Sequence, residues 1–169
     1  MQPTLETIAT LLLQRPRDGE VLAARERATL TAAAEVLLEG IDFELAPDEL
    51  ARNVERFIGT PASRRAWRVR ALLVLVEIAP VVLLGRPRFS RMTRRERARL
   101  IRERFIGGGG VWAVCGRIRP IVYLGAYASP AARRHVGWVE VRERPRFVKL
   151  RPRTITDTER RVTERRVSA

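Results

Sequence analysis

The strongest constraint on this chain is an apolar run of fourteen residues, 71–84, that only Glu77 and Pro80 interrupt. A helix that crosses a bilayer needs about 20 predominantly apolar residues, so the run is too short for a membrane span. We therefore predict that it forms a helix in the core of a folded domain. Pro80 has no amide hydrogen, which predicts a kink or a stop in that helix.

Apolar residues recur at helical spacing along most of the chain, and glycine and proline mark the ends of the segments. Pro47 is placed in the first turn of one helix and Gly59 closes it, while Thr60 and Pro61 open the long helix. Strand signals are limited to residues 138–141 and 147–150. We predict an all-α protein of about six helices, with helical periodicity in residues 4–13, 25–38, 47–58, 60–79, 93–105, 111–128 and 130–136.

The sequence Thr-Arg-Arg-Glu at 93–96 is a capping box that starts one of these helices. The Thr93 hydroxyl accepts from the Glu96 amide, and the Glu96 carboxylate reaches back to the Thr93 amide. Four glycines at 107–110 then predict a break, and Ser129-Pro130 predicts an N-cap for a last short helix that ends at Gly137. Pro120 is expected to bend the helical segment between these points.

The net charge of +14 is unevenly distributed. Residues 1–60 carry 6 basic and 11 acidic residues, whereas residues 61–169 carry 27 basic and 8 acidic ones. All basic residues except Lys149 are arginine, which is typical of a GC-rich genome, but codon bias does not explain the excess of positive charge. The asymmetry predicts either packing of the two halves on each other or an acidic partner for the second half.

Two segments follow from this pattern. Residues 1–141 are predicted to form a single helical domain, and residues 142–169 an extended basic C-terminal arm, because proline and the residue before it resist helix. The arm contains Arg144-Pro145-Arg146 and Arg151-Pro152-Arg153, followed by a duplicated Thr-Glu-Arg-Arg-Val. No export signal is predicted at the N-terminus, so we expect a cytoplasmic protein.

The chain has few residues that could carry catalysis. Its single cysteine, Cys115, excludes a disulfide framework and a cysteine-based zinc site, and its single histidine, His135, excludes a histidine-rich metal site. Cys115 lies on an apolar helical face and is expected to be a buried thiol rather than a nucleophile, and His135 is expected at a surface. The glycines at 107–110 are followed by Val-Trp rather than the Gly-Lys-Ser/Thr of a phosphate loop. No catalytic, cofactor-binding or metal-binding residue is predicted.

Nucleic-acid binding is the alternative function. The arginine-rich helix after residue 91 could contact phosphates, since arginine releases counterions from a nucleic acid. Glu96 and Glu103 interrupt its charge, however, and the sequence shows no helix-turn-helix frame for a recognition helix. A free-standing small enzyme is a third class, for which the sequence supplies no catalytic set.

Two motifs resemble a known family. Phe89-Ser-Arg-Met-Thr-Arg-Arg-Glu-Arg97 resembles Phe-x-x-Leu-x-x-x-Glu-Arg, and Tyr127-Ala-Ser-Pro130 followed by Val-Gly-Trp138 resembles Tyr-x-Asp-Pro-x-x-Trp-x-x-Ile-Gly-Tyr. Both are similar to motifs of the small helical subunit of gluconate dehydrogenase and of the helical N-terminal segment of long-chain alcohol oxidases. The resemblance covers about two thirds of the chain.

This resemblance implies an accessory role. In that family a larger subunit of the glucose–methanol–choline type carries FAD and the catalytic groups, so no cofactor is expected in this chain. The expected function is to bind and stabilise a flavin-dependent alcohol or sterol dehydrogenase subunit. For the aromatic members of the predicted interface, ordinary core packing is the alternative interpretation. The predicted interface residues are Phe89, Tyr127, Arg133, His135, Trp138, Arg144, Arg146, Arg151 and Arg153.

Overall fold

The protein is all-α, as the sequence predicts. A computed structural model describes residue 16 and residues 19–41, 43 and 45–137, and it has no strand in these ranges. The chain divides into two compact units, Met1–Ala132 and Arg133–Ala169. The helices are α1 (Ala24–Leu37), α2 (Pro47–Ile58), α3 (Arg64–Leu84), α4 (Arg94–Leu100, continued by a π-helical turn Ile101–Phe105), α5 (Val111–Cys115), α6 (Ile118–Tyr127) and α7 (Pro130–His135).

Helix α1 packs against most of the other helices of the first unit. It contacts α2, α3, α4 and α6, and α2 also packs against α6. Small residues on α1 (Ala32, Ala33 and Ala34) are buried and let its neighbours approach closely. The apolar core therefore surrounds α1 and includes Leu22, Leu30, Leu50, Val54, Leu73, Val76, Phe89, Ile118 and Val122.

Helix α2 has the ends that the sequence predicts. Pro47 occupies the first turn, where its missing amide hydrogen costs nothing, and Gly59 ends the helix with a φ of 82°. Asp48 and Glu49 lie in the first turn and Arg56 in the last, so the charges complement the helix dipole.

Helix α3 contains the apolar run but differs from the prediction at both ends. Ser63, rather than Thr60, is the N-cap, and its hydroxyl accepts from the Ala66 amide at 3.0 Å. Of the kink or stop predicted at Pro80, the stop is wrong, because the helix continues to Leu84. Gly85 then adopts a left-handed conformation, and the Arg86 amide donates to the Pro80 carbonyl in a closing turn.

The segment after α4 is two helices rather than one bent helix. The capping box of Thr93 and Glu96 is present, and the four glycines separate α4 from α5, both as predicted. The chain breaks again at Gly116, where a Cβ atom would lie 2.3 Å from the Phe105 carbonyl oxygen. Pro120 consequently lies in the first turn of α6, where a proline is tolerated, and does not bend a longer helix.

Two charged side chains inside the fold have polar partners. The buried Glu77 carboxylate accepts from the Thr29 hydroxyl at 3.0 Å and from the Ser90 amide and hydroxyl at 3.0 and 2.6 Å. These bonds join α3 to α1 and to the 3-10 turn Phe89–Arg91. The Arg97 guanidinium, which is buried, pairs with Glu35 of α1.

Several predictions lie outside the described residues. These are the helix at 4–13, the strands at 138–141 and 147–150, the domain boundary at residue 141 and the basic arm. The N-cap of α7 is described and confirmed, since the Ala132 amide donates to the Ser129 hydroxyl at 3.1 Å.

Candidate protein-binding surface

A largely apolar groove lies between α2 and α6 and has a volume of about 420 Å³. Three large apolar side chains in it are unusually accessible: Phe57 is 47% exposed, Leu124 37% and Tyr127 44%. Large apolar side chains are normally buried, so a cluster of exposed ones is a candidate site of interaction. We call this site the aromatic groove; its lining residues are Asn53, Arg56, Phe57, Leu124, Tyr127 and Ala128.

The groove is held by a close contact between its two helices. A Cβ atom on Gly125 would lie 2.7 Å from Val54 Cγ2 and 2.8 Å from Leu50 Cδ1, so any larger residue would require these side chains or the two helices to shift. The buried Asn53 side chain donates to the Gly125 carbonyl at 2.9 Å. This bond and this contact fix α6 against α2 and set the distance between Phe57 and the α6 side chains.

Arginine frames the aromatic groove. The Arg65 guanidinium lies over the Phe57 ring at 4.9 Å from its centroid and donates to the Phe57 carbonyl at 3.2 Å. Arg56 directly precedes Phe57 in the sequence, is exposed and lines the groove. A cation over the face of an aromatic ring is attracted to it, which holds Phe57 in place while it stays accessible.

Tyr127 belongs to a set of aromatic rings. Its ring centroid lies 6.0 Å from that of Phe43 and 6.4 Å from that of Tyr123. The Tyr123 hydroxyl donates to the Leu37 carbonyl at the end of α1, at 3.2 Å. These contacts pack the Tyr127 ring against Phe43 and Tyr123, and Tyr127 also lines the groove.

The structure separates the predicted interface residues. Phe89 is fully buried and stacks on Phe105 at 5.9 Å, so it contributes to the core and not to a surface. Tyr127 lines the aromatic groove. On α7, Arg133 is half-buried and His135 exposed. The remaining five lie outside the described residues: Trp138, Arg144, Arg146, Arg151 and Arg153.

The groups with potential for catalysis are not arranged for it. Cys115 is fully buried, as predicted, and burial raises the pKa of its thiol to about 11. It is therefore protonated near neutral pH and is a poor nucleophile. Within residues 19–41 and 45–137 no three metal-ligating side chains cluster, and none of the helices there has the length and apolar character to cross a membrane.

The arginine-rich side of α4 carries both signs of charge. A shallow depression of about 480 Å³ on it is lined by Glu39, Arg94, Arg95, Ala98, Arg99, Arg102 and Glu103. Arg94 pairs with Glu39 at 3.3 Å and Arg99 with Glu103 at 2.8 Å. These exposed pairs halve the positive charge available to a phosphate backbone, which makes the surface less suited to nucleic acid than its sequence suggests.

Sequence reasoning did not find the groove. The spacing of Leu50, Val54 and Phe57 indicates one helical face, but Phe57 falls in the last turn of α2, where that face is only partly covered. Nothing in the sequence marks Leu124 or Arg65, because their positions at the groove depend on how α6 and α3 pack against α2.

No protein-family model, curated protein or solved structure matches this chain.

Proposed function

We propose that this chain is a non-catalytic accessory subunit that binds a larger protein through the aromatic groove. The observation that carries the proposal is the exposure of Phe57, Leu124 and Tyr127 in one groove framed by Arg56 and Arg65. Aromatic residues and arginine are enriched at protein interfaces and dominate the binding energy there.

The charge of the chain indicates the kind of partner. The net charge of +14 and the arginines beside the groove favour a partner with an acidic face. Such complementarity speeds association and disfavours basic partners, whereas the aromatic side chains supply most of the affinity.

We further propose that the partner is the large subunit of a flavin-dependent alcohol or sterol dehydrogenase of the glucose–methanol–choline type. The support is the resemblance of the motifs around Phe89 and Tyr127 to those of the small helical subunits. The FAD and the reacting groups would then belong to the partner. The reading frame beside this chain is expected to encode that partner.

Co-expression followed by gel filtration tests the proposal. The full chain is expected to elute with the large subunit at both 50 and 300 mM salt. At the higher concentration the Debye length is below about 8 Å, so interactions between exposed charges are largely screened. The double variant Phe57→Ala/Tyr127→Ala should weaken the complex by about tenfold or more, since each truncation removes an aromatic anchor. Ile106→Ala, which truncates a 56% exposed side chain of the α4–α5 connection, is the matched control and should not. Separate elution of the unmodified chains would refute the proposal.

Nucleic-acid binding is kept as the second function because Arg95 and Arg102 are exposed on α4. It predicts that a fluorescein-labelled 20-mer binds with an affinity that falls steeply between 50 and 200 mM salt. Arg95→Ala/Arg102→Ala should weaken this binding, whereas Phe57→Ala/Tyr127→Ala should not. Binding of this kind without any complex with the large subunit would favour the alternative.

A further inference from the structure

The stretch from Arg56 to Arg95 contains ten arginines and a single acidic residue, Glu77. That carboxylate points into the fold, where it is 5% exposed and accepts hydrogen bonds from Thr29 and Ser90. Helix α3 therefore has its only carboxylate on the inner side. A helix on a protein surface normally has the opposite arrangement, with charges outside and apolar residues inside.

The outer side of α3 is apolar over most of its length. Trp67, Ala71, Ile78 and Val82 are spaced by four, seven and four residues, which places them on one face of a helix. Trp67 is 70% exposed, Val82 is 51% exposed, Ala71 is exposed and Ile78 is half-buried. At about 1.5 Å per residue, the fifteen steps from Trp67 to Val82 span roughly 22 Å. We call these four residues the α3 strip.

The strip adjoins the aromatic groove through arginines. Arg64, Arg65 and Arg68 occupy the first two turns of α3, and all three are exposed. Arg65 lies over Phe57 of the groove, while Arg64 is three residues before Trp67 and Arg68 follows it. The arginines at the start of α3 therefore lie between the aromatic groove, which Arg65 contacts, and the α3 strip, which begins at Trp67.

We propose that the α3 strip is a second contact surface for the partner that occupies the aromatic groove. The partner would present an apolar surface to the strip and carboxylates to Arg64 and Arg68. This inference rests on the proposed function and adds to it the face of the chain that the large subunit covers.

A protein with an acidic border fits this surface better than a second copy of the chain. Two copies packed through their strips would bring Arg64 and Arg68 of one copy near the strip of the other, with no carboxylate to meet them. Burying a charge against an apolar surface without a partner is unfavourable. A nucleic acid would satisfy the arginines but would leave Ala71, Ile78 and Val82 in contact with phosphates.

Photo-crosslinking in the complex tests the inference. A benzoylphenylalanine residue is introduced at position 67 or 82 of the full chain, with positions 95 and 102 of α4 as exposed controls, and each variant is co-expressed with the large subunit. Crosslinks to the large subunit are expected from 67 and 82 and not from 95 and 102. A complex that forms but crosslinks only from the control positions overturns the inference and leaves the proposed function intact.

Charge reversal gives a second readout. Arg64→Glu/Arg68→Glu should weaken the complex at least tenfold, whereas Arg95→Glu/Arg102→Glu, which makes the same change in net charge, should weaken it less than threefold. Equal effects of the two variants would show that only net charge matters and would overturn the inference. Crosslinked dimers of this chain from position 67 would assign the strip to self-association and would also overturn it. Absence of any complex refutes the proposed function, and the inference with it.

Discussion

The contact of Gly125 with α2 makes a prediction about stability. In Gly125→Ala, the new Cβ would lie 2.7 Å from Val54 Cγ2, 2.8 Å from Leu50 Cδ1 and 3.2 Å from the Leu50 carbonyl oxygen. Ordinary contacts of a Cβ begin near 3.4 Å, so α6 or α2 must move. Val54 and Leu50 are 0% and 1% exposed, which leaves their side chains little room to turn away.

Two opposing effects set the magnitude. Overpacking of a dense core costs about 1–3 kcal/mol, whereas alanine is favoured over glycine within a helix by about 1 kcal/mol. Because the new Cβ meets two buried side chains and a backbone oxygen, we take the upper part of the overpacking range, about 2–3 kcal/mol. The expected net loss is then about 1–2 kcal/mol in the free energy of unfolding. For a chain of this size that corresponds to a fall in Tm of roughly 2–8 °C.

Urea unfolding followed by circular dichroism measures the change, with Gly107→Ala as the matched control. A Cβ atom on Gly107 meets nothing within 4 Å, so this variant should be as stable as the native chain or slightly more stable. The double variant Val54→Ala/Gly125→Ala should lose less than the sum of the two single variants, because the smaller side chain makes room. If Gly125→Ala is as stable as Gly107→Ala, or if the two changes are additive, the close contact is not real.

Four further results are expected. Glu77→Ala should cost about 3 kcal/mol in urea unfolding, because it leaves buried donors without an acceptor, and Glu77→Gln should cost less. Arg64→Glu should stabilise the isolated chain by about 0.5 kcal/mol, since it places a negative charge at a helix N-terminus, and it should weaken the complex. A variant that lowers both the stability of the isolated chain and the affinity of the complex would indicate a purely structural role for Arg64. Cys115 should resist Ellman's reagent at pH 8 until urea unfolds the chain, and rapid labelling of the native chain would contradict its burial. The free energy of unfolding should fall from pH 9 towards pH 11, because the thiol of the unfolded chain ionises at a lower pH than the buried thiol. Hydrogen bonds from the Thr93 amide and hydroxyl lower the pKa of Glu96. The stability advantage of the native chain over Glu96→Ala should therefore be full above pH 4.5 and disappear as the pH falls through the lowered pKa. A difference in stability that does not change with pH would argue against the capping box.

Most of the fold follows from local sequence signals. Pro47, Gly59, Thr93 and Ser129 mark helix ends because each acts on backbone groups of its own helix, and the structure has those ends. The errors arise where tertiary contacts decide. Helix α3 continues through Pro80 within a buried environment, a feature that the local rule for proline does not consider.

The binding surface is less accessible to sequence reasoning. A period of 3.6 residues identifies the face of a helix that is apolar but not the neighbour that covers it. Phe57 follows the period of the buried residues of α2 and yet is exposed, and Trp67 lies on an apolar face of α3 that is exposed. Glu77 interrupts an apolar run and yet is buried. The two motifs predict both Tyr127 and Phe89 at an interface, but Tyr127 is exposed and Phe89 is a core residue. A motif alone therefore does not separate a buried side chain from an accessible one.

The most direct test of the account is gel filtration of the native chain and of Phe57→Ala/Tyr127→Ala, each co-expressed with the flavin-dependent large subunit. The account predicts that the native chain elutes with that subunit and that the double variant, folded by circular dichroism, elutes separately. Separate elution of the native chain, or an unchanged complex with the double variant, would contradict it.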